Sequence, residues 1–150
     1  MALYPVAGSK LFIGGVLSDK AADFVAADFA SQTWTEIDGW STMGSSGDTA
    51  ALITTSLINR GRDIKQKGTK NAGQMQNTFA VIEDDPGQVA LIAAAETDEN
   101  YAFKIELSSG GERMFIGLVM SAQEAGGEAN TVQNLTSTVE INSNIVKVAA

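Results

Sequence analysis

Hydrophobic and polar residues alternate with period two over most of this 150-residue chain, and only one stretch takes on a helical rhythm. Residues 10–17 (KLFIGGVL) are the first expected strand, with a double glycine that suits a bulge or a close backbone approach. Residues 33–38 (TWTEID) alternate cleanly and stop at Asp38-Gly39, a turn pair. Residues 100–108 set Tyr101, Phe103, Ile105 and Leu107 on one side and Lys104 and Glu106 on the other. A hairpin turn at 109–112 leads into 113–121 (RMFIGLVMS), apolar on both faces as a strand covered on both sides must be. After a connection at 122–131, residues 132–142 split again. Leu135, Val139 and Ile141 share one side; Asn134, Thr136, Thr138, Glu140 and Asn142 share the other. Ser143-Asn144 breaks that strand, and 145–148 is a tail or a short edge strand.

The middle of the chain reads as strand, long basic turn, strand: 52–58, then 59–73, then 74–82. The turn holds three glycines, two asparagines and five of the ten basic residues: Arg60, Arg62, Lys65, Lys67 and Lys70. With Asp63 it carries +4, which leaves −12 on the rest of a chain whose net charge is −8. A cationic finger on an anionic body suits a subunit that binds its own copies head to tail. The other readings of the turn are a solvated hairpin tip and a nucleic-acid contact. The latter has no aromatic residues for stacking and sits on an acidic protein.

The helix begins at Asp85-Pro86-Gly87-Gln88. Asp85 is the expected cap, Pro86 sits where its missing N–H costs nothing, and Gln88 gives a capping-box-like spacing; the helix runs to about Glu96 or Thr97. Residues 18–30 are either a short helix with Phe24, Val25 and Phe29 on one face or an irregular surface segment. The Gly/Ser-rich segment 39–51 reads as a mobile loop. The tally is a mainly β single domain over 1–150, a sandwich or barrel of seven to eight strands with one flanking helix.

Composition narrows the chemistry. Without cysteine there is no disulfide framework or thiolate nucleophile, and without histidine the commonest general base and metal ligand is missing. Gly44-Ser45-Ser46-Gly47 lacks the spacing of a nucleophile elbow, and Gly61…Gly68-Thr69 lacks the lysine and following helix of a phosphate loop. The acids at 83–85 and 98–99 have no calcium-loop spacing and read as a cap and solvated turns. No catalytic, cofactor or metal residue is therefore assigned. No run approaches the roughly 18 apolar residues of a membrane span, and the first residues have no secretory pattern. Charged residues make up only 19%, which suits burial between subunits but also an ordinary β-protein. The polar side of 132–142, together with Gln74, Gln76 and Thr78, is either an ordinary wet sheet face or the lining of an aqueous channel; periodicity leaves both open.

The order of these features resembles the major tail tube proteins of long-tailed bacteriophages and phage-like particles. The resemblance spans nearly the whole chain. It is carried by 8–14 (GSKLFIG), 34–37 (WTEI), the Gly-rich 39–47, the basic 60–73, the helix start 85–88, 101–104 (YAFK), 115–119 (FIGLV) and the last long strand. It implies a β-sandwich with a flanking helix, six copies per ring, and rings stacked head to tail as the virion's tube, a conduit for DNA ejection. It further implies an N-terminal arm (about 1–9), a loop (about 39–51), a hairpin turn (59–73) and a C-terminal tail (about 143–150) as assembly elements. Arg60, Arg62, Lys65, Lys67, Lys70, Trp40 and Met43 are the expected subunit contacts. Gln74, Gln76, Thr78, Asn134, Thr136, Thr138 and Glu140 are the expected lumen residues. The implied partners are further copies and the tail terminator, tape measure and distal tail proteins, with DNA passing unbound and assembly in the host cytoplasm. An Hcp-like ring of a contractile or secretion machine shares the same fold.

Overall fold

The computed structural model describes residues 2–149; Met1 and Ala150, at the ends of the expected arm and tail, lie outside the described residues. In chain order the elements are β1 (Lys10–Val16), β2 (Thr35–Ile37), β3 (Trp40–Thr42), β4 (Thr49–Thr55), β5 (Ile64–Asn71), β6 (Gln74–Ala80), α1 (Pro86–Ala95), β7 (Tyr101–Glu106), β8 (Glu112–Ala125), β9 (Asn134–Ile141) and β10 (Val146–Val148). Eight strands form one sheet in the order β2-β1-β7-β8-β9-β6-β3, with β10 also against β8. The two margins of that order, β2 and β3, are separated in the chain by Asp38 and Gly39 alone, so the sheet must curl until its edges meet.

The fourteen-residue β8 makes the curl possible. Its first half pairs with β7 (Tyr101 opposite Gly117 through Glu106 opposite Glu112), and its second half pairs with β9 (Gly117 opposite Ile141 through Ala125 opposite Asn134). A register shift at Val119–Ser121 separates strand directions along it, as bulges do. The inward residues of both halves then share one core: Leu11, Ile37, Phe79, Phe103, Phe115 and Leu135 among others, with the Phe103 and Phe115 rings stacked at 5.7 Å. Each such side chain contributes about 2–3 kcal/mol on burial. The expected mainly β fold with one flanking helix is what forms.

Segment 18–30 carries only one turn of 3-10 helix, Ala26–Phe29. Phe24 and Phe29 cover Ala102, Met114 and Ile116 on the outer face of β7 and β8, which explains why 113–121 is apolar on both sides. Asn144, at the predicted strand break, accepts from the Phe24 N–H (2.7 Å) and donates to the Phe24 carbonyl (3.0 Å). Lys20 donates to Asp28 (2.7 Å) and, with the Val25 N–H, holds that exposed carboxyl below its usual range.

Helix α1 starts as expected, the Asp85 carboxylate accepting from the Gln88 N–H at 3.0 Å. Gln88 does not complete a capping box. Its buried amide donates to the carbonyls of Asp38 (2.9 Å) and Ala80 (2.7 Å) and accepts from the Ile82 N–H (3.0 Å), tying the helix to the corner where the sheet margins meet. Gly87 fits only without a side chain, since a Cβ would run into the Glu36 carbonyl and lie 2.5 Å from Ile37 Cα.

The central hairpin differs from expectation. Residues 52–58 and 74–82 are not partners: β4 pairs with β5, which occupies 64–71 inside the expected turn, and β6 pairs with β3 and β9. The true turn is 56–63. β5 (IKQKGTKN) has no buried side to impose alternation, so its strand character is invisible in the polar pattern. Gly73, at φ +87°, turns the chain from β5 into β6, a conformation glycine adopts freely. The expected loop 39–51 likewise contains β3 and the start of β4. It is pinned by buried Asn77, which accepts from Trp40 Nε1 (3.2 Å) and from the Gly44 N–H (3.1 Å).

Candidate assembly surfaces

Strands β4 and β5 form a two-stranded ribbon separate from the main sheet. It is rooted where the Gly47 N–H donates to the Ala72 carbonyl (3.3 Å). Nearly every residue on it is exposed on both faces. The basic residues assigned to a turn are divided along it. Arg60 and Arg62 lie in the turn at the tip, whereas Lys65, Lys67 and Lys70 lie on β5 opposite Thr54, Leu52 and Ala50. Lys65 and Lys67 share one face by alternation. The other face carries Ile53, which packs over Gly68, and the half-buried Ile64. The ribbon therefore has one side with Lys65, Lys67 and the exposed Leu52, another with Ile53, Ile64 and Gln66, and a tip exposing Leu57 and Ile58.

The seven expected lumen residues fall on one face of two adjacent strands. In register, Gln74 lies opposite Glu140, Gln76 opposite Thr138, Thr78 opposite Thr136 and Ala80 opposite Asn134, while Met75, Phe79, Leu135 and Val139 point the other way into the core. The second half of β8 extends this surface with Ser121 opposite Thr138 and Gln123 opposite Thr136, and the Thr138 N–H donates to Ser121 Oγ (3.3 Å). The sequence pattern ends this strand at residue 121 and so does not show that contribution, although the alternation continues through Ala122 and Gln123. Glu140 is the only ionisable group among these residues, so the face is a neutral hydroxyl and amide surface with one carboxylate.

Trp40 and Met43 are half-buried and pack against the core margin of their own chain. Their exposed parts, with Val6 to Ser9, border a cavity of about 280 Å³ at the β2–β3 corner. Beyond Gly117, β8 pairs on one side only: β7 stops at Tyr101, and residues 118–125 have β9 as their single strand partner among the described residues. Met120 on that stretch is exposed. An unpaired strand edge of this length is a template for another chain. Among the described residues no three carboxylates gather in a metal-holding arrangement, and no helix is long and apolar enough to cross a membrane.

No family model and no curated protein matches this sequence. Among solved structures, the SPP1 tail tube is 14% identical, with a TM-score of 0.68 over 97% of this chain and 80% of that one. A chain from the structure of the PVC sheath/tube terminator in its extended state, part of an extracellular contractile injection system, is 12% identical, with a TM-score of 0.70 over 99% of both chains. A chain from the tail of the empty GTA particle, refined with C6 symmetry, is 13% identical, with a TM-score of 0.60 over 93% of this chain and 96% of that one. This chain therefore has the fold of the tail tube proteins of phages and phage-like particles.

Proposed function

We propose that this chain is a structural, non-enzymatic subunit of a tail tube. Copies close into six-membered rings, rings stack head to tail, and the tube is the conduit for DNA delivery in a virion tail assembled in the host cytoplasm. The observation that carries the reading is the polar face of β6, β9 and β8, in register and backed by core, ending at the unpaired edge of residues 118–125. Lateral joining at that edge continues the sheet into a neighbour and turns the polar face inward around an axis. Sixfold closure is favoured by the C6 symmetry of the GTA tail. A face with hydroxyls, amides and a single carboxylate offers no cations to phosphates, so DNA slides past it. The ribbon, with Arg60, Arg62, Lys65, Lys67 and Lys70, reaches between rings; a terminator, a tape measure and distal tail proteins end and fill the tube.

The neighbours from contractile injection systems favour a second reading, an Hcp-like ring inside a contractile or secretion machine. Electron microscopy separates the two: long hollow tubes from purified protein fit the first, free rings the second. A monodisperse monomer at high concentration, even with the other tail components added, overturns both.

Two variants test the surfaces. Lys65→Glu with Lys67→Glu is expected to keep the wild-type melting temperature, since both residues are exposed, while tube yield in a sedimentation assay falls about tenfold. Normal tubes from that variant remove the Lys65 and Lys67 side of the ribbon from the contact. Because the chain has no cysteine, Thr136→Cys or Thr138→Cys is a single reporter thiol. It should react with a bulky maleimide in free subunits and be shielded in tubes; equal labelling in both places the face outside the lumen.

A further inference from the structure

The ribbon and the β2–β3 corner lie at opposite ends of β6, and their chemistry is complementary. The ribbon is rooted at Ala72 and Gly73, beside Gln74, whereas the corner is bonded to the far end of the strand, the Ala80 N–H donating to the Gly39 carbonyl (2.7 Å). Six residues of strand separate them, about 20 Å at roughly 3.3 Å per residue. At the ribbon tip, Ile58 is fully exposed and Leu57 is 42% exposed, next to Arg60 and Arg62. The one acid there, Asp63, is engaged by the Ser56 hydroxyl at 2.7 Å. At the corner, two adjoining cavities of about 360 and 280 Å³ share Gly8, Ser9 and Trp40. Val6, Trp40 and Met43 line one of them. Glu36 and Asp38 stand in the other with Lys10, which lies 4.0 Å from Glu36 and offsets one charge. Exposed Glu83 and Asp84 immediately precede Asp85, whose carboxylate accepts from the Asp38 N–H (3.1 Å).

The geometry points to this corner groove as the seat for the ribbon tip of a second copy of the chain. Leu57 and Ile58 enter against Val6, Trp40 and Met43, and Arg60 and Arg62 meet Glu36, Asp38, Glu83 and Asp84. The inference rests on the stacked-ring reading above and adds the receiving surface to it. The ribbon's root lies at the far end of β6 from the groove, and no tip residue lines either cavity, which leaves the groove open to the tip of another copy. Such a contact between unlike surfaces leaves a free tip at one end and an empty groove at the other, which is the condition for open-ended growth.

Reciprocal charge reversal tests it. One variant carries Arg60→Glu and Arg62→Glu; the other carries Glu36→Lys and Glu83→Lys, all at exposed positions. Each alone sets like charges against each other, so tube yield should fall about tenfold. Mixed in equal amounts, reversed tips meet reversed grooves and native tips meet native grooves, so yield should recover. Circular dichroism melts establish that both variants fold. As a second readout, Ile58→Cys subunits mixed with Glu36→Cys subunits should form one dimer band with a short bismaleimide. Normal tubes from the Glu36/Glu83 variant, or absent recovery on mixing together with absent cross-linking, overturn the groove while leaving stacking through the ribbon intact. Failure of the wild-type chain to form tubes under the same conditions overturns the stacked-ring reading itself.

Discussion

Removing residues 49–71 and joining Asp48 to Ala72 through two glycines is expected to leave a folded domain that forms no tubes. The excision is feasible because the ends already touch: the Gly47 N–H donates to the Ala72 carbonyl at 3.3 Å. None of the removed residues belongs to either buried core cluster, and the ribbon's hydrogen-bonded ladder is internal to itself. Stability should change by less than about 1 kcal/mol, a shift of about 2–4 °C in Tm for a domain of this size. Polymerisation, in contrast, should be lost altogether, because the element proposed to bridge rings is gone. Lateral rings can persist, since β6, β8 and β9 are untouched. Thermal melts with negative-stain microscopy read both sides. Long tubes from the shortened chain would exclude the ribbon from longitudinal contact, and a chain that no longer folds would show the ribbon to be part of the domain's stability.

Gln88→Leu should have the largest effect on the fold itself. Leucine nearly matches the volume, so little cavity opens. What changes is that the carbonyls of Asp38 and Ala80 and the Ile82 N–H all lose their partner in a place where Gln88 is 2% exposed. A buried polar group left unpaired costs about 1–3 kcal/mol, so three cost roughly 4 kcal/mol or more. That is a large share of the 5–15 kcal/mol a domain has, and Tm should drop by roughly 10 °C. Gln88→Glu refines the test. A carboxylate can still accept from Ile82 but cannot donate to the two carbonyls, so it should be nearly as damaging at neutral pH. A Gln88→Leu melt within a degree or two of wild type would mean that water replaces the amide and that the corner is not held by this side chain.

The parts of the fold legible in the sequence are those where one face is buried. In β6 and β9 the core imposes strict alternation, and the same constraint leaves Gln76, Thr78, Thr136 and Thr138 on the opposite side. Their alignment into a single surface is not a local property. It depends on pairing two strands some sixty residues apart, which no window of sequence contains. The ribbon shows the converse. Ile64–Asn71 has neither face in a core, so its strand is held by backbone ladder bonds to Thr49–Thr55 and reads as basic loop. Gln88 departs from the expected cap for a physical reason too. Its spacing from Asp85 fits a reciprocal cap, but two carbonyls at the closing corner of the sheet are stronger claimants on its amide. The length of β8 was hidden because its last residues lie on a wet edge, where Gln123 and Glu124 look like linker.

A two-stranded ribbon with no third strand is only marginally stable in water. In a free subunit the excursion from Thr49 to Asn71 should therefore fluctuate, with fast amide exchange, and become protected only once it is clamped. On the proposed stacked-ring assembly, each incoming subunit would surrender that freedom, and the first few would do so with the fewest compensating contacts. The expected kinetics are a lag followed by rapid elongation, abolished by adding preformed fragments as seeds: a soluble pool stays quiescent until an end is supplied, so initiation, more than affinity, decides where a filament begins.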